Sequence, residues 1–249
     1  MLNVTLSQLQ ADVQLRADVQ NSTAAFPLTE LADYINRGIA RVHGLLAISG
    51  EPYYRSQATF SASQGQQQYY TTAASGVPAG TAVLPTDIFR VEALDAQVQN
   101  ATWANCYRFN WERRNDYQST SLFFPVQATP LFDFMGSGAN ASLYLQPPPS
   151  GATPFRLWYY PVPTVLASGS DTWDSANRWD EYVVAFAAKL VAERDQNYEL
   201  VDRLAQMVMG MEATIKAEAE SRISGQAPKV RRSRYRRNIG WPWGTGGLP

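Results

Sequence analysis

Apolar residues recur with a helical period at the beginning of the chain, which predicts two helices there. The first is expected over about residues 5–18, because Thr5 and Gln8 have the spacing of a capping box. Its apolar face carries Leu6, Leu9 and Val13. The second is expected over about 29–47, with Thr29 as its N-cap and the sequence SGEP as its end. Its stripe consists of Leu31, Tyr34, Ile35, Ile39, Val42 and Leu46.

Two further helices are predicted in the last third of the chain, over about 178–194 and 198–223. Asn177 is placed to cap the first of them, and the sequence DQN at 195–197 separates the two. The first stripe contains Trp179, Val183, Phe186, Leu190 and Val191. The second has heptad-like spacing and contains Val201, Leu204, Val208, Met211 and Ile215. Because neither pair of helices can bury its stripes alone, we expect all four to pack as one bundle.

Between these helices, from about residue 53 to 170, the pattern changes to short aromatic and β-branched runs separated by turn-forming residues. The runs are YYRSQATFSA, QQQYYTT, IFRVEALDAQVQ, NCYRFNWER, ASLYLQ and FRLWYYP. In the last run Arg156, Trp158 and Tyr160 alternate with apolar residues. We therefore predict antiparallel strands with one buried face, whose other face is aromatic enough to contact something besides solvent.

The predicted fold class is α+β: a bundle of about four helices, with an antiparallel β domain inserted between the second and third helices. Gly225 and Pro228 mark the end of the last helix and the beginning of an extended arm. The predicted segments are the first half of the bundle at 1–50, the inserted β domain at 51–171, the second half of the bundle at 172–225 and the arm at 226–249.

The arm differs from the rest of the chain in charge. Six of the 21 basic residues and none of the 22 acidic residues lie in its last part, KVRRSRYRRNIGWPWGTGGLP at 229–249. The remaining 15 basic residues therefore face 22 acidic ones, a net charge of about −7. This asymmetry favours a charged segment that reaches a partner over a uniformly basic protein. Arginine and tryptophan are enriched among interface anchors, so we expect the arm to fold onto that partner.

Cysteine content and hydropathy indicate the kind of cellular compartment to which the protein belongs. Cys106 is the only cysteine, which excludes an internal disulfide. No apolar run approaches the roughly 18 residues that a membrane-spanning helix needs. The beginning of the chain also lacks the pattern of a secretory signal. We therefore expect a soluble protein of a reducing compartment, with no membrane partner.

Catalytic and metal-binding patterns are scarce. The sequence has no phosphate-binding loop, no dinucleotide-binding glycine pattern and no Gly-x-Ser-x-Gly elbow. A dyad of His43, the only histidine, with Cys106 is formally possible, but packing roles in a helix and a strand explain both residues. Four acidic residues near the third helix lack EF-hand spacing and are explained by the helix dipole. They are Asp171, Asp174, Asp180 and Glu181. We predict no enzymatic activity, no metal and no cofactor.

Four stretches occur in an order that resembles a known family. They are LADYINRGIARVHGLL at 31–46, VLPTDIFRVEAL at 83–94, LYLQPPPSGATPFRLWYYPVPTVL at 143–166 and RWDEYVVAFAAKLVAERD at 178–195. A helix with a Tyr-Ile-Asn core thus precedes a β region with a Leu-Pro-x-Asp motif, and a strand ending in Tyr-Tyr-Pro-x-Pro leads into the last helices. This arrangement resembles the head-to-tail connector (adaptor) proteins of tailed bacteriophages, also called neck proteins or, in short-tailed phages, tail tubular protein A. The resemblance spans roughly residues 5–220 and leaves out the basic arm.

The resemblance implies a structural virion protein that forms a ring of twelve copies beneath the portal protein of the DNA-filled head. The opposite side of the ring would receive the tail or nozzle proteins, and genomic DNA would pass through the lumen without sequence-specific binding. Assembly would take place in the host bacterial cytoplasm, and the mature location would be the neck of the virion. An acidic body suits such a channel, because it repels the phosphates of DNA.

The resemblance also implies roles for two sets of residues. The C-terminal arm would bind the portal through Arg231, Arg232, Arg234, Tyr235, Arg236, Arg237, Trp241 and Trp243. The helical stripes would form the bundle core and pack the ring through Leu31, Tyr34, Ile35, Trp179, Val183, Phe186, Leu204, Val208 and Met211.

Other functions fit the same residues. The arm fits a nucleic-acid-binding module, whose binding would weaken steeply with salt. The aromatic β region fits a tail-fibre or receptor-binding structural protein. A virion-associated hydrolase is a further alternative, for which the sequence offers no catalytic constellation.

Overall fold

Helices at both ends of the chain and strands between them confirm the α+β class. The computed structural model describes residues 3–20, 25–71, 80–98, 102–113, 130–136, 141–175 and 179–224. Within these ranges the α-helices are α1 (Leu6–Arg16), α2 (Leu28–Ser49), α3 (Asp180–Arg194) and α4 (Tyr198–Ser224). Two 3₁₀ helices, Pro52–Tyr54 and Trp111–Arg113, lie in the β region. All four predicted α-helices are confirmed, with small shifts at their ends.

Helix α1 begins with the predicted capping box. The backbone N–H of Gln8 donates to the Thr5 hydroxyl at 3.2 Å, and the Thr5 N–H donates to the Gln8 side chain at 2.9 Å. Two of the otherwise unpaired N–H groups of the first turn are satisfied in this way. Leu6, Leu9 and Val13 are buried, as their spacing predicts.

Helix α2 begins at Leu28, two residues earlier than an N-cap at Thr29 would allow. The N-cap is Pro27 and makes no side-chain hydrogen bond, so the prediction of Thr29 as the cap is wrong. The fixed φ of proline, here −65°, orients the chain for the helix that follows. The helix ends as predicted at the sequence SGEP, where Gly50 adopts a left-handed φ of 77° that favours glycine.

Helices α3 and α4 are separated by a tight turn at 195–197. Gln196 has a positive φ of 59°, and the Asn197 side chain accepts the N–H of Leu200 at 3.2 Å and so caps α4. At the start of α3 the N-cap is Trp179, which makes no capping hydrogen bond with its side chain. The predicted cap, Asn177, lies outside the described residues.

The four helices bury their stripes against one another, with α3 in contact with α1, α2 and α4. Gly38 of α2 lies directly against Val183 of α3: a Cβ at this glycine would be 3.2 Å from Val183 Cγ1 and 3.3 Å from its carbonyl oxygen. A polar cluster ties α2, α3 and α4 together. The Arg41 guanidinium donates to both carboxylate oxygens of Glu212, at 3.0 and 3.2 Å, and the Tyr182 hydroxyl donates to Glu212 at 2.8 Å.

Two four-stranded sheets form the β unit. Their strands are β2 (Ser56–Ala62), β3 (Gln68–Thr71), β4 (Ala82–Leu84), β5 (Ile88–Gln97), β6 (Trp103–Cys106), β7 (Leu131–Met135), β8 (Ser142–Gln146) and β9 (Thr153–Pro161). One sheet has the order β2-β9-β5-β6 and the other β4-β3-β8-β7. Pairing is antiparallel except between β3 and β4, a parallel pair that the predicted antiparallel pattern did not include.

The two sheets share a single hydrophobic core, to which every one of their strands contributes. Phe155 and Leu157 of β9, Leu94 of β5 and Leu143 and Leu145 of β8 are fully buried there. The β8–β9 connection, PPPSGA at 147–152, crosses from one sheet to the other. The chain also changes sheet between β2 and β3, between β4 and β5, and between β6 and β7, and the two sheets pack as a sandwich.

A third, two-stranded sheet joins distant parts of the chain. Strand β1 (Asn3–Thr5) pairs antiparallel with β10 (Thr172–Asp174), so the first residues lie beside the segment that leads into α3. Trp173 of β10 belongs to the helical core. The Asn36 side chain of α2 also bonds both the N–H and the carbonyl of Leu166, each at 2.9 Å. These contacts hold the segment that leads from the β unit back to α3 against the helical bundle.

Candidate interaction surfaces

His43 and Cys106, the candidate dyad, have different surroundings. The His43 ring lies 5.2 Å from the ring of Tyr54 and edge-on to Phe89 at 5.5 Å, and burial lowers its pKa. Cys106 is buried in the β core opposite Leu94, where burial raises the pKa of its thiol to about 12. A thiol of this kind is not a nucleophile at neutral pH. Both residues are therefore explained by packing.

The carboxylates near α3 are also accounted for by their neighbours. Asp171 accepts the backbone N–H groups of Ala167 and Ser168, both at 2.8 Å, and these bonds lower its pKa. Asp174 accepts the Tyr53 hydroxyl at 2.6 Å. Asp180 and Glu181 occupy the first turn of α3, where the helix dipole favours acids.

Across the described ranges, no group of three or more His, Cys, Asp or Glu side chains is arranged to hold a metal ion. Among the helices that the structure describes, none is both long enough and apolar enough to cross a membrane.

The aromatic face of β9 is partly occupied by the protein itself. Asp95 of β5 accepts from the Arg156 guanidinium at 2.9 and 3.1 Å and from the Trp158 indole N–H at 2.8 Å. The Arg156 guanidinium lies over the rings of Trp103 and Trp158, at 4.6 and 5.0 Å from their centroids. Arg55 covers the Trp158 ring at 5.4 Å. Two arginines and two indoles are therefore stacked as a ladder on this face. The ladder includes side chains that we expected to contact an outside partner.

The residues predicted for the bundle core and for ring packing lie on all of α2, α3 and α4. Leu31, Ile35, Trp179, Val183, Leu204 and Val208 are buried in the helical core. Tyr34, Phe186 and Met211 are partly buried and pack against that core. The Tyr34 hydroxyl donates to Glu30 at 2.5 Å, and this bond raises the pKa of Tyr34. Their role in ring packing stays a prediction.

A seam surface, defined here by Phe89, Val162 and Val165, lies where the bundle meets the β unit. These three side chains are 46%, 47% and 68% exposed. Beside them is a pocket of about 230 Å³, lined among others by His43 and Tyr54. The main chain after β9 runs along α2 here, from the pocket to the Asn36–Leu166 bonds. Exposed apolar groups held on a fixed backbone are typical of contact sites.

Several hydrogen bonds hold the two halves of the molecule together beneath this seam. Arg90 of β5 donates to the carbonyl of Ala47, in the last turn of α2, at 2.5 Å. A cation is favourable at that end of a helix dipole. The Tyr160 hydroxyl donates to the carbonyl of Glu51 at 3.0 Å, and burial raises the pKa of Tyr160 to about 12. The seam surface therefore rests on a well-bonded junction.

The outer faces of the bundle expose further large apolar side chains. They are Leu15, Leu28, Ile48, Tyr198 and Met209, each more than half exposed. A groove also runs between the first turn of α3 and the C-terminal half of α4 and encloses about 210 Å³. Trp179, Tyr182 and Ile215 line its apolar part, and Glu181 and Glu218 supply two carboxylates.

The residues assigned to portal binding lie outside the described residues. They are Arg231, Arg232, Arg234, Tyr235, Arg236, Arg237, Trp241 and Trp243. The seam surface, by contrast, was missed by the sequence pattern. Its signal is weak: Val162 and Val165 lie on either side of a Pro-Thr pair after β9, and Phe89 follows the buried Ile88 in β5 like an ordinary outward-facing strand residue.

Comparison with known proteins identifies the family. No match was found among curated proteins. The family model described as SU10 adaptor protein matches residues 4–239, almost the whole chain. That family comprises phage head–tail adaptors, and apart from the first residue of β1 the match includes every helix and strand that the structure describes. The chain therefore belongs to the SU10 adaptor protein family, and it is a structural adaptor protein of a phage virion.

Proposed function

We propose that this protein forms the head-to-tail connector ring beneath the portal of a tailed phage, with twelve copies joining the DNA-filled head to the tail. The observation that carries this proposal is the adaptor-family match over residues 4–239. An adaptor of this kind must bind one component on each of its two sides. The proposed position is the neck of the virion, reached by assembly in the host bacterial cytoplasm.

Ring formation is proposed to bury the exposed apolar residues of the bundle and the seam surface between neighbouring copies. A ring needs a heterologous contact, in which two different patches of the same chain meet. We propose that an exposed apolar residue of the bundle, such as Met209, contacts the seam surface of the next copy. Burying the seam side chains would stabilise the contact by about 25 cal/mol for each Å² of apolar area removed from water.

DNA is proposed to pass through the lumen of this ring without sequence-specific contacts. The chain without its arm carries 22 acidic and 15 basic residues, so a lumen lined by its surface repels phosphates on average. The tail or nozzle proteins are proposed to bind the side that faces away from the portal.

The basic arm is proposed to dock on the portal. Arginines at 231–237 suit acidic grooves because the guanidinium binds a carboxylate through two hydrogen bonds. Trp241 and Trp243 would be the buried anchors, and anchors of this type dominate interface energetics. Twelve weak arms acting together bind far more tightly than one.

The test of the arm is a binding measurement with purified portal. Trp241→Ala together with Trp243→Ala should weaken binding at least about tenfold, whereas Leu248→Ala in the same segment should have little effect. Binding to duplex DNA is measured in parallel at 50 and 300 mM salt. Unchanged portal binding combined with tight, steeply salt-dependent DNA binding would favour a nucleic-acid-binding arm instead.

A further inference from the structure

The groove between α3 and α4 has the dimensions of a site for single side chains. Its volume of about 210 Å³ lies below the roughly 300 Å³ at which small-molecule sites begin. Trp179 is 4% exposed and Tyr182 1%, so the apolar part of the groove is the outer surface of the bundle core. Such a floor suits an inserted aromatic or aliphatic side chain.

The polar lining of the groove favours a cationic occupant. Glu181 and Glu218 are its charged residues. Glu181 also pairs with Arg16 at 3.5 Å, but the two side chains are 53% and 32% exposed. Exposed ion pairs contribute little, so Glu181 can exchange this arginine for another at small cost. The preferred occupant therefore combines arginine with an aromatic residue.

The chain itself supplies such a segment close to the groove. Helix α4 carries Glu218 and ends at Ser224, six residues or about 9 Å further on. The following 25 residues include six basic residues, Trp241 and Trp243 and no acid. Extended, they reach about 80 Å, more than enough to return to the groove. A tether this short gives an effective concentration in the millimolar range, which far exceeds that of other copies in dilute solution.

We propose that in the unassembled protein the arm 229–249 docks in the α3–α4 groove of its own subunit. An arginine of the 231–237 run lies between Glu181 and Glu218, and a tryptophan covers the apolar floor. Docking occupies one arginine and one tryptophan of the arm and so weakens its non-specific binding to the nucleic acids of the cell. We call the groove in this role the holding site of the arm. The inference rests on the proposed function in one respect: on assembly the arm leaves the holding site and binds the portal.

Hydrogen exchange of the full-length protein tests the proposal without any portal. At 50 mM salt, amide exchange within 229–249 should be about tenfold slower than in an unstructured peptide of the same sequence. The protection should disappear at 500 mM salt and should not change with protein concentration. Glu181→Gln together with Glu218→Gln should abolish it. Glu199→Gln together with Asp202→Asn makes the same charge change at the other end of α4 and should leave it intact.

Three results would overturn the proposal. They are exchange of the wild-type arm at the unstructured rate, equal loss of protection in the control variant, and protection that grows with protein concentration, which would indicate the groove of another copy. Protection of α2 amides in every variant verifies that the protein remains folded. Because the portal is absent, failure here leaves the ring and portal binding untouched, and failure of ring assembly leaves the holding site intact.

Discussion

The helical bundle and the β unit are stabilised by different kinds of polar contact. In the bundle, ion pairs join helices that are distant in sequence, at the surface: Arg41–Glu212, Arg16–Glu181 and Arg194–Glu30. In the β unit the main charged contact lies within one sheet and is largely buried. Asp95, 6% exposed, holds Arg156 and Trp158 on the neighbouring strand.

The two regions also differ in the apolar surface that they leave exposed. Among the described residues, the bundle exposes five large apolar side chains, whereas the sandwich exposes Phe89 and Tyr107. Phe89 belongs to the seam. The sandwich therefore covers most of its large apolar side chains, whereas the bundle and the seam leave several of them exposed to contact neighbouring proteins. This difference supports assigning subunit contacts to the bundle rather than to the β sheets.

A charge placed in the bundle core should have the largest effect. Val208 is 7% exposed, whereas the adjacent Met209 is 71% exposed. Val208→Asp should cost about 4 kcal/mol of unfolding free energy, because a carboxylate is buried without a partner. Met209→Asp should cost less than about 0.5 kcal/mol. Urea unfolding followed by circular dichroism measures both, and equal losses would mean that this face of α4 does not face the core.

Removal of the buried carboxylate tests the β unit. Asp95→Ala leaves the Arg156 charge and the Trp158 N–H without their acceptor and should cost about 3 kcal/mol. Asp95→Asn retains one oxygen acceptor and should cost roughly half as much. The measurement is again urea unfolding. A loss below about 0.5 kcal/mol for the alanine variant would show that the ladder is dispensable.

Two glycines of α2 offer a matched pair for the close contact between α2 and α3. A Cβ at Gly38 would meet Val183 at 3.2 Å, whereas a Cβ at Gly44 would meet nothing within 4 Å. Gly38→Ala should therefore destabilise the protein by about 1–2 kcal/mol. Gly44→Ala should stabilise it by up to about 1 kcal/mol, through the higher helix propensity of alanine. Thermal unfolding compares the two, and shifts of the same sign would contradict the observed packing.

The buried histidine should make stability depend on pH near neutrality. Burial lowers the pKa of His43 from its ordinary value of 6.5, so the unfolded chain takes up a proton more readily than the folded one. The corresponding stability is present above about pH 6.5 and is lost as the pH falls below it, by up to about 1 kcal/mol at pH 5.5. His43→Phe should remove this slope. Parallel pH profiles for wild type and variant would contradict it.

The smallest effect is expected at an exposed ion pair. Asp33 and Arg37 lie one turn apart on α2, at 2.7 Å, with side chains about 60% exposed. Asp33→Asn should change the free energy of unfolding by no more than about 0.5 kcal/mol. A larger loss would indicate that this surface of the bundle is more constrained than its exposure implies.

Sequence periodicity predicted the helices well because each buries a continuous stripe of at least three turns. The caps were harder: α2 begins after Pro27, which offers no capping side chain, whereas the sequence favoured Thr29. Strands β1 and β10 have three residues each and pair across most of the chain, so no local pattern reveals them. The seam surface likewise depends on a long-range arrangement, in which the segment after β9 lies along α2.

The central claim, a connector ring that joins the portal, is tested most directly by electron microscopy of the purified protein with and without its portal. With portal, closed rings should appear, attached to one end of it, with twelve-fold symmetry and an open lumen. Substituting Phe89, Val162 and Val165 together by serine should abolish the rings without unfolding the protein. Single copies that never associate with the portal, or rings that persist in the triple variant, would contradict the account.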